Sequence, residues 1–444
     1  MRGIALRGAL LALVATAALP ACEHPAGRPP EEIAATSPFG VYSPWGEMVS
    51  DHVTFVTPQR VAQWIEELGV KWVQELPFAA DVARPSTCLY SRVGREAGMG
   101  PGQVPGDAYR AALRDRIRAE GGRVKWFEVD TEPDGIGGWF DDPAGYAALL
   151  EVTREVVKAE CPDCRTVFGG LSGWMRDLET RQAEFLDAVL AAGGTFDAIE
   201  LKLHHVSAKQ YVLLETKLDA TCAVLEKHAI DCLAIPIFVE TAMYDGDPRD
   251  PQAKPLLADL PVQSEAEQAA GLVKTYVHGV AIGIDKIFWN LVVERTDWSS
   301  KPDGTTFGQN PFNHYGLYQN PMNGDGLSGP KLAWYAYRKM VEVLEGSDWK
   351  AVETVQAEPG GVHLYRLTRE GRAIWVGWSD GAAAAVSIPV GGASRARATQ
   401  SVPAYPSGSQ VPAYDTAFDE WTLDASAGNV TLVVGNEPVF LRSD

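Results

Sequence analysis

Positive charge is scarce in this sequence: 39 Lys and Arg stand against 58 Asp and Glu, a formal net charge of −19. A field of that sign repels polyanions, so nucleic acid and anionic lipid headgroups are not expected as partners. Long apolar runs are scarce too. The one near the start, Ala9 to Ala21, has thirteen residues, too few to span a bilayer. The chain has no Walker loop, no G-x-S-x-G serine elbow and no H-E-x-x-H zinc helix, so nucleotide chemistry, serine-elbow chemistry and zinc-protease chemistry have no support. "DGDPRDPQ" (245–252) and "NGDGLSG" (323–329) are acidic and glycine-rich but lack the ligand spacing of an EF-hand, and read as solvated loops. No period of twenty to fifty residues recurs, which excludes solenoids and propellers. No cofactor and no metal is expected.

Cysteine is sparse, six in 444 residues, and its placement is informative. Arg2 and Arg7 precede the apolar run, and the run ends in "LPAC" (19–22) followed by the Pro-rich "EHPAGRPPEE". These flanks read as a signal peptide over residues 1–21 and a tether over 22–37. "LPAC" resembles the bacterial lipobox, which implies lipid on Cys22 and an exported chain held at the cell envelope, with the membrane touched only through that anchor; the alternative is plain secretion with Cys22 paired to another cysteine. Removing residues 1–21 takes away two arginines and no acid, so −19 becomes −21. In an exported protein Cys161 with Cys164 and Cys222 with Cys232 are the pairs most easily bridged, leaving Cys88 over. A redox or zinc role for "CPDC" lacks a second CxxC or His pair at ligand spacing.

Between residues 38 and 348, short runs rich in Val, Ile, Phe and Trp alternate with longer stretches of helical period, the pattern of βα units and a parallel sheet. The stretch after the first strand, "YSPWGEM", is no phosphate loop, so a closed (β/α)8 TIM barrel is favoured over an open doubly wound sheet. Its third strand is the weakest part, with "STCLYSRVG" the best candidate in a compressed unit. From 349 to 444 the helical period stops, and alternating runs such as "GGVHLYRLTREGRAIWVGWS" predict an antiparallel β-sandwich.

Working residues of a parallel barrel sit at the C-terminal ends of its strands. Two glutamates meet that condition: Glu132 just past "RVKWFEV" and Glu240 at the end of "AIPIFVE". If these strands are the fourth and seventh, the carboxyls face each other across the bowl. A facing pair suits glycosidic bond cleavage, with about 5–5.5 Å between carboxyls for a retaining mechanism and about 6.5–9.5 Å for an inverting one. Glu128, Glu200 and Glu294 read as ion-paired groups, and the first two, on buried strands, need partners.

These stretches carry a resemblance. "WFEVDTEPDGIGGW" resembles the acid/base strand of the clan A glycoside hydrolases, and "IPIFVETAMY" their nucleophile strand. "FDAIELKLHHV" is similar to their sixth-strand histidine site, and "FWNLVVERTDW" to their eighth strand. With the sandwich included, family 39 is the nearest in character, and the likeness runs over residues 39–444. It implies a retaining hydrolase with a carbohydrate substrate, Glu132 as acid/base and Glu240 as nucleophile. His204 or His205 would line the cleft, Trp289 would be a sugar platform or else core filler, and Tyr244 a wall. Neighbouring strand residues point to opposite faces, so only one of the two histidines can enter the barrel. Thr131 departs from the family's asparagine, so the sugar 2-hydroxyl contact is lost or made by another residue such as Asp130 or Lys202. That departure also fits an alternative, a carbohydrate-binding lipoprotein with weakened chemistry.

Overall fold

The computed structural model describes residues 36–42, 57–74, 88–120, 122–135, 138–172, 178–246, 260–294, 311–321 and 328–443. The leader, Cys22 and nearly all of the tether lie outside them. Eight parallel strands close into a barrel: β1 (Phe39–Tyr42), β2 (Trp72–Gln74), β3 (Cys88–Val93), β4 (Val124–Val129), β5 (Arg165–Leu171), β6 (Ala198–His205), β7 (Ile237–Met243) and β8 (Lys286–Asn290). Closure comes from β1 pairing with β8, Val41 opposite Trp289. The weak third strand falls inside "STCLYSRVG", as expected. Around the barrel run α1 (Pro58–Leu68), α2 (Asp107–Glu120), α3 (Pro143–Glu160), α4 (Leu178–Ala191), α5 (Leu213–Lys227), α6 (Glu265–Ala281) and α7 (Leu332–Leu344). Among the described residues no helix is long and apolar enough to cross a membrane.

The helix starts are written in local chemistry. Thr57 and Asp142 accept from the amides of Arg60 and Gly145, each just before a proline in the first turn. Ser264 and Glu267 form a reciprocal capping box at the start of α6.

Inside the barrel the two halves differ. The lower half is aromatic: Trp72, Tyr90, Trp126, Phe238 and Phe288 are all buried and mutually packed, with Trp126 and Phe238 centroids 5.1 Å apart. The upper half, toward the C-terminal strand ends, is polar. Chain-outward residues of the same strands meet the helices in one large apolar core.

Beyond α7 the short pair β9 (Tyr318–Gln319) and β10 (Gly329–Pro330) is left behind, and the chain turns antiparallel. One sheet has the order β11 (Glu353–Ala357), β12 (Val362–Arg369), β13 (Arg372–Ser379), β18 (Val439–Ser443), β15 (Arg395–Gln400), β16 (Glu420–Asp424). A second pairs β14 (Ala384–Pro389) with β17 (Asn429–Val434). The six-stranded sheet sets Tyr365, Trp378 and Phe440 into the barrel's own core. Asp380 bonds across the junction, accepting from Lys274 Nζ at 2.8 Å and Tyr211 OH at 2.6 Å.

Disulfides join Cys161 to Cys164 and Cys222 to Cys232, the two pairs expected from spacing. Cys88, expected to be left over, is disulfide-bonded as well, a correction to that expectation. With their sulfurs joined, Cys161 and Cys164 offer no thiolates to a metal.

Candidate active site

The loop that leaves β4 is held in an unusual backbone. Asp130 and Glu132 both have positive φ, 60° and 46°, a left-handed conformation that side chains other than glycine rarely adopt without support. Support is present. The Asp130 carboxylate accepts from the Thr131 amide and from Trp139 Nε1, each at 2.8 Å, and pairs with Arg95 at 2.8 Å. The Glu132 amide donates to the carbonyl of Gly170 on β5 at 2.9 Å. This close approach requires glycine on β5: a Cβ at Gly169 would lie 2.6 Å from the Asp130 carbonyl, and one at Gly170 2.6 Å from Glu200 Oε1 and 2.7 Å from Lys202 Cε. The half-buried Glu132 side chain therefore starts from a pinned backbone.

Glu240 occupies the middle of β7 rather than its end, since the strand runs on to Met243. It points into the barrel and is 1% exposed. Lys202 Nζ donates to Oε2 at 2.7 Å and Asn290 Nδ2 to Oε1 at 2.6 Å. His204 Nε2 stands 3.5 Å from Oε1, and Arg92 Nη2 is 3.9 Å from Oε2. Burial alone would push this carboxyl up, but the Lys202 ammonium, the His204 contact and Arg92 outweigh it and hold the group well below the usual carboxylate range. Burial would likewise lower Lys202, yet the charges of Glu240 and Glu132 raise it above the ordinary lysine value. The lysine thus feels both glutamates.

Below Glu240 lies a second tier of acids. Glu128 accepts from Arg92 Nε at 2.9 Å, Gln74 Nε2 at 3.0 Å and the Gly170 amide at 3.1 Å. Glu200 accepts from Tyr90 OH at 2.8 Å and Gln74 Nε2 at 3.1 Å. Burial, then the charges of Glu128 and Glu240, push Glu200 well above the usual range, the opposite direction from Glu240. The partners that the sequence required of Glu128 and Glu200 are these.

The expected site residues divide. Glu240 and His204 face the barrel interior together, and Glu132 and Thr131 lie on the pinned loop above. Thr131 Oγ1 is buried without a hydrogen-bond partner among the described residues, and Asp130 is committed to the loop. His205 points the other way, as strand alternation requires, with Nε2 3.2 Å from Thr275 Oγ1 of α6; burial lowers its pKa to about 3. Two expectations are corrected. Trp289 is fully buried on the outer face of β8, its Nε1 donating to the Tyr315 carbonyl at 3.0 Å, so it fills core and cannot be a platform. Tyr244 is also fully buried, its hydroxyl donating to the Pro261 carbonyl at 2.8 Å, and is no wall of an open cleft. Gln74, Tyr90, Arg92 and Asn290 are site residues that sequence reasoning missed.

A separate polar cluster closes the loops above β7 and β8. Asp245 Oδ1, Glu294 Oε1 and His314 Nδ1 lie within 4.8 Å of one another, a set that could hold a metal. The cation among them is Lys331 Nζ, 2.5 Å from Asp245, 2.8 Å from Glu294 and 3.0 Å from the His314 carbonyl. Lys331 is fully buried; the two carboxylates outweigh its desolvation and keep it charged.

No protein-family model matches the chain, and no curated protein matches it by sequence. Solved structures do share its fold. A family 39 glycoside hydrolase from the gut symbiont Bacteroides cellulosilyticus superposes with a TM-score of 0.64 at 15% identity, over 92% of this chain and 81% of that one. A family 51 α-L-arabinofuranosidase from Bifidobacterium longum gives 0.58 at 13% identity, over 91% and 95%. A family 30 subfamily 8 xylanase from Clostridium acetobutylicum gives 0.53 at 11%, over 91% and 96%.

Proposed function

We propose that this protein is a retaining glycoside hydrolase in which Glu240 is the nucleophile and Glu132 the acid/base. The observation that carries this reading is the opposite setting of the two carboxyls at one end of one barrel. Glu240 is kept ionised by Lys202, Asn290 and His204, while Glu132 sits half-buried on a loop pinned above it. The fold shared with glycoside hydrolases of three families supports it.

In the first step a Glu240 oxygen attacks the anomeric carbon and the bond to the leaving oxygen breaks, that oxygen taking the Glu132 proton. In the second, Glu132 takes a proton from water, the water oxygen bonds to the anomeric carbon, and Glu240 leaves as carboxylate. Lys202 keeps the nucleophile ionised, and each carboxylate oxygen holds one donor in the resting site, Oε2 from Lys202 and Oε1 from Asn290.

Turnover of aryl glycosides tests the reading. Loss of activity in both Glu132→Gln and Glu240→Gln supports it; loss in only one overturns the pairing. A second reading has its own observation: Thr131 Oγ1 is unpartnered where the resemblance calls for an amide, and Glu240 is held by two short donors. Sugar binding without turnover in the unaltered protein would favour that weakened, carbohydrate-binding form. The proposal includes export, which the disulfides support because such bonds persist in oxidising compartments, and lipid on Cys22, which competes for that sulfur with the bridge at Cys88, since the other four cysteines are paired with each other. Radiolabelled fatty acid incorporated by the native chain but not by Cys22→Ser checks it.

A further inference from the structure

The sandwich, though net acidic, groups arginines on one sheet face. On its six-stranded sheet Arg369 of β12 pairs directly with Arg372 of β13, and Arg442 of β18 directly with Arg397 of β15. Side chains alternate along a strand, and Ile374, which shares the face of Arg372, also lies opposite Arg442. All four arginines therefore project from one face, the one whose Tyr365, Trp378 and Phe440 pack into the barrel core, at the sheet end beside the C-terminus of α7, where Arg372 and Arg397 remain exposed. They line a concave site of about 280 Å³ whose lining includes one acid, Glu370.

Like charges directly opposite across strands destabilise a sheet, and internal partners offset this only in part. Arg369 donates to the Val343 carbonyl at 2.9 Å at the end of α7, and Arg397 is 3.9 Å from Glu420. Arg372 is exposed and Arg442 half-buried; neither has a hydrogen bond or ion pair among the described residues. Nearby Glu342 is hydrogen-bonded by Lys339 and the Tyr414 hydroxyl, and the Arg442 charge also helps to lower its carboxyl.

We propose that this arginine face binds the anionic groups of an acidic polysaccharide, uronate carboxylates or sulfate esters. Guanidinium groups match planar and tetrahedral oxyanions through paired N–H donors. The protein's overall negative charge is screened beyond about 10 Å in 0.1 M salt, so the local field governs a ligand in the cleft. No aromatic ring lines the site for stacking nucleobases. None of the exposed large apolar side chains lies there to enter a bilayer. The choice of a glycan rests on the carbohydrate-acting reading above.

Affinity electrophoresis and titration calorimetry of the full chain test it with polygalacturonate, heparin, neutral xylan, inorganic sulfate and phosphatidylglycerol vesicles. These are run at about 0.02 M and 0.5 M salt. Retention by polygalacturonate or heparin at low salt, lost at high salt and absent with xylan, is expected. Arg372→Glu with Arg442→Glu should weaken it at least about tenfold. Glu370→Gln, which removes the opposing charge, should tighten it roughly twofold, a gain that misfolding cannot mimic. No retention by either acidic glycan, retention indifferent to both variants, binding of sulfate alone, or equal arginine-dependent binding of vesicles would each overturn the proposal. Binding is read without turnover, so its failure is separable from failure of the hydrolase reading.

Discussion

Replacing Lys202 by methionine removes the ammonium 2.7 Å from Glu240 while keeping most of the side chain's volume. Both partners are almost completely buried, at 6% and 1% exposure. At that separation and an effective dielectric near 20 the gross attraction is about 6 kcal/mol, much of it offset by desolvation. Removing one partner of a buried pair nevertheless costs about 3–5 kcal/mol, because the other charge is left uncompensated. The sign follows from both shifts. Glu240's depressed pKa gives stability that is present above the unfolded value of about 4.3 and lost as pH falls through the folded one. Lys202's raised pKa gives stability present below about 10.4 and lost as pH rises through its folded value. The pair is thus fully effective near neutrality. Urea unfolding at pH 7 should show Lys202→Met destabilised by about 3–5 kcal/mol, with the gap narrowing as Glu240 protonates at low pH. In kcat/KM the acid limb should move up by about two pH units or more, since each unit corresponds to about 1.4 kcal/mol. Lys202→Arg, which keeps the charge, should retain more of both. A Lys202→Met protein as stable as the parent at pH 7, with an unmoved acid limb, would refute the reasoning.

Lys331→Met leaves Asp245 and Glu294 buried against each other and should cost about 3–5 kcal/mol in denaturant unfolding. For Asp380, burial alone would raise the carboxyl, but bonds from His363, Lys274 and Tyr211 lower it to about 2. Its contribution is present above the unfolded value of about 3.9 and lost as pH falls toward 2. Asp380→Asn should therefore lower the melting temperature at pH 7 and converge on the parent near pH 2, with proteolysis between barrel and sandwich enhanced. Gly170→Ala would set a methyl 2.6 Å from Glu200 Oε1 and 2.7 Å from Lys202 Cε. A loss of about 1–3 kcal/mol is expected, together with an acid limb displaced in the same direction as in Lys202→Met.

Much of the fold could be read in advance because βα alternation and the switch to period two near residue 350 are strong, repeated signals. The fourth and seventh strands, and so the placement of Glu132 and Glu240, followed from counting runs. What failed was side-chain parity in strands buried on both faces. "KIFWNLV" is apolar on both sides, as parallel strands are, so its apolar pattern does not say whether Trp289 or Asn290 faces inward; the lone amide in the run was the available hint. "ELKLHH" did carry the answer: Glu200, Lys202 and His204 alternate with leucines, which marks one polar, inward face. The Arg92 and Gln74 contacts join strands distant in sequence and left no local trace.

The most direct measurement is mass spectrometry of peptides after incubation with a panel of activated 2-deoxy-2-fluoro glycosides, which slow hydrolysis of a glycosyl-enzyme. The expected result is a sugar adduct on the peptide carrying Glu240, absent in Glu240→Gln. An adduct on Glu132, Glu128 or Glu200 instead, or parent-like turnover by Glu240→Gln, would contradict the assignment.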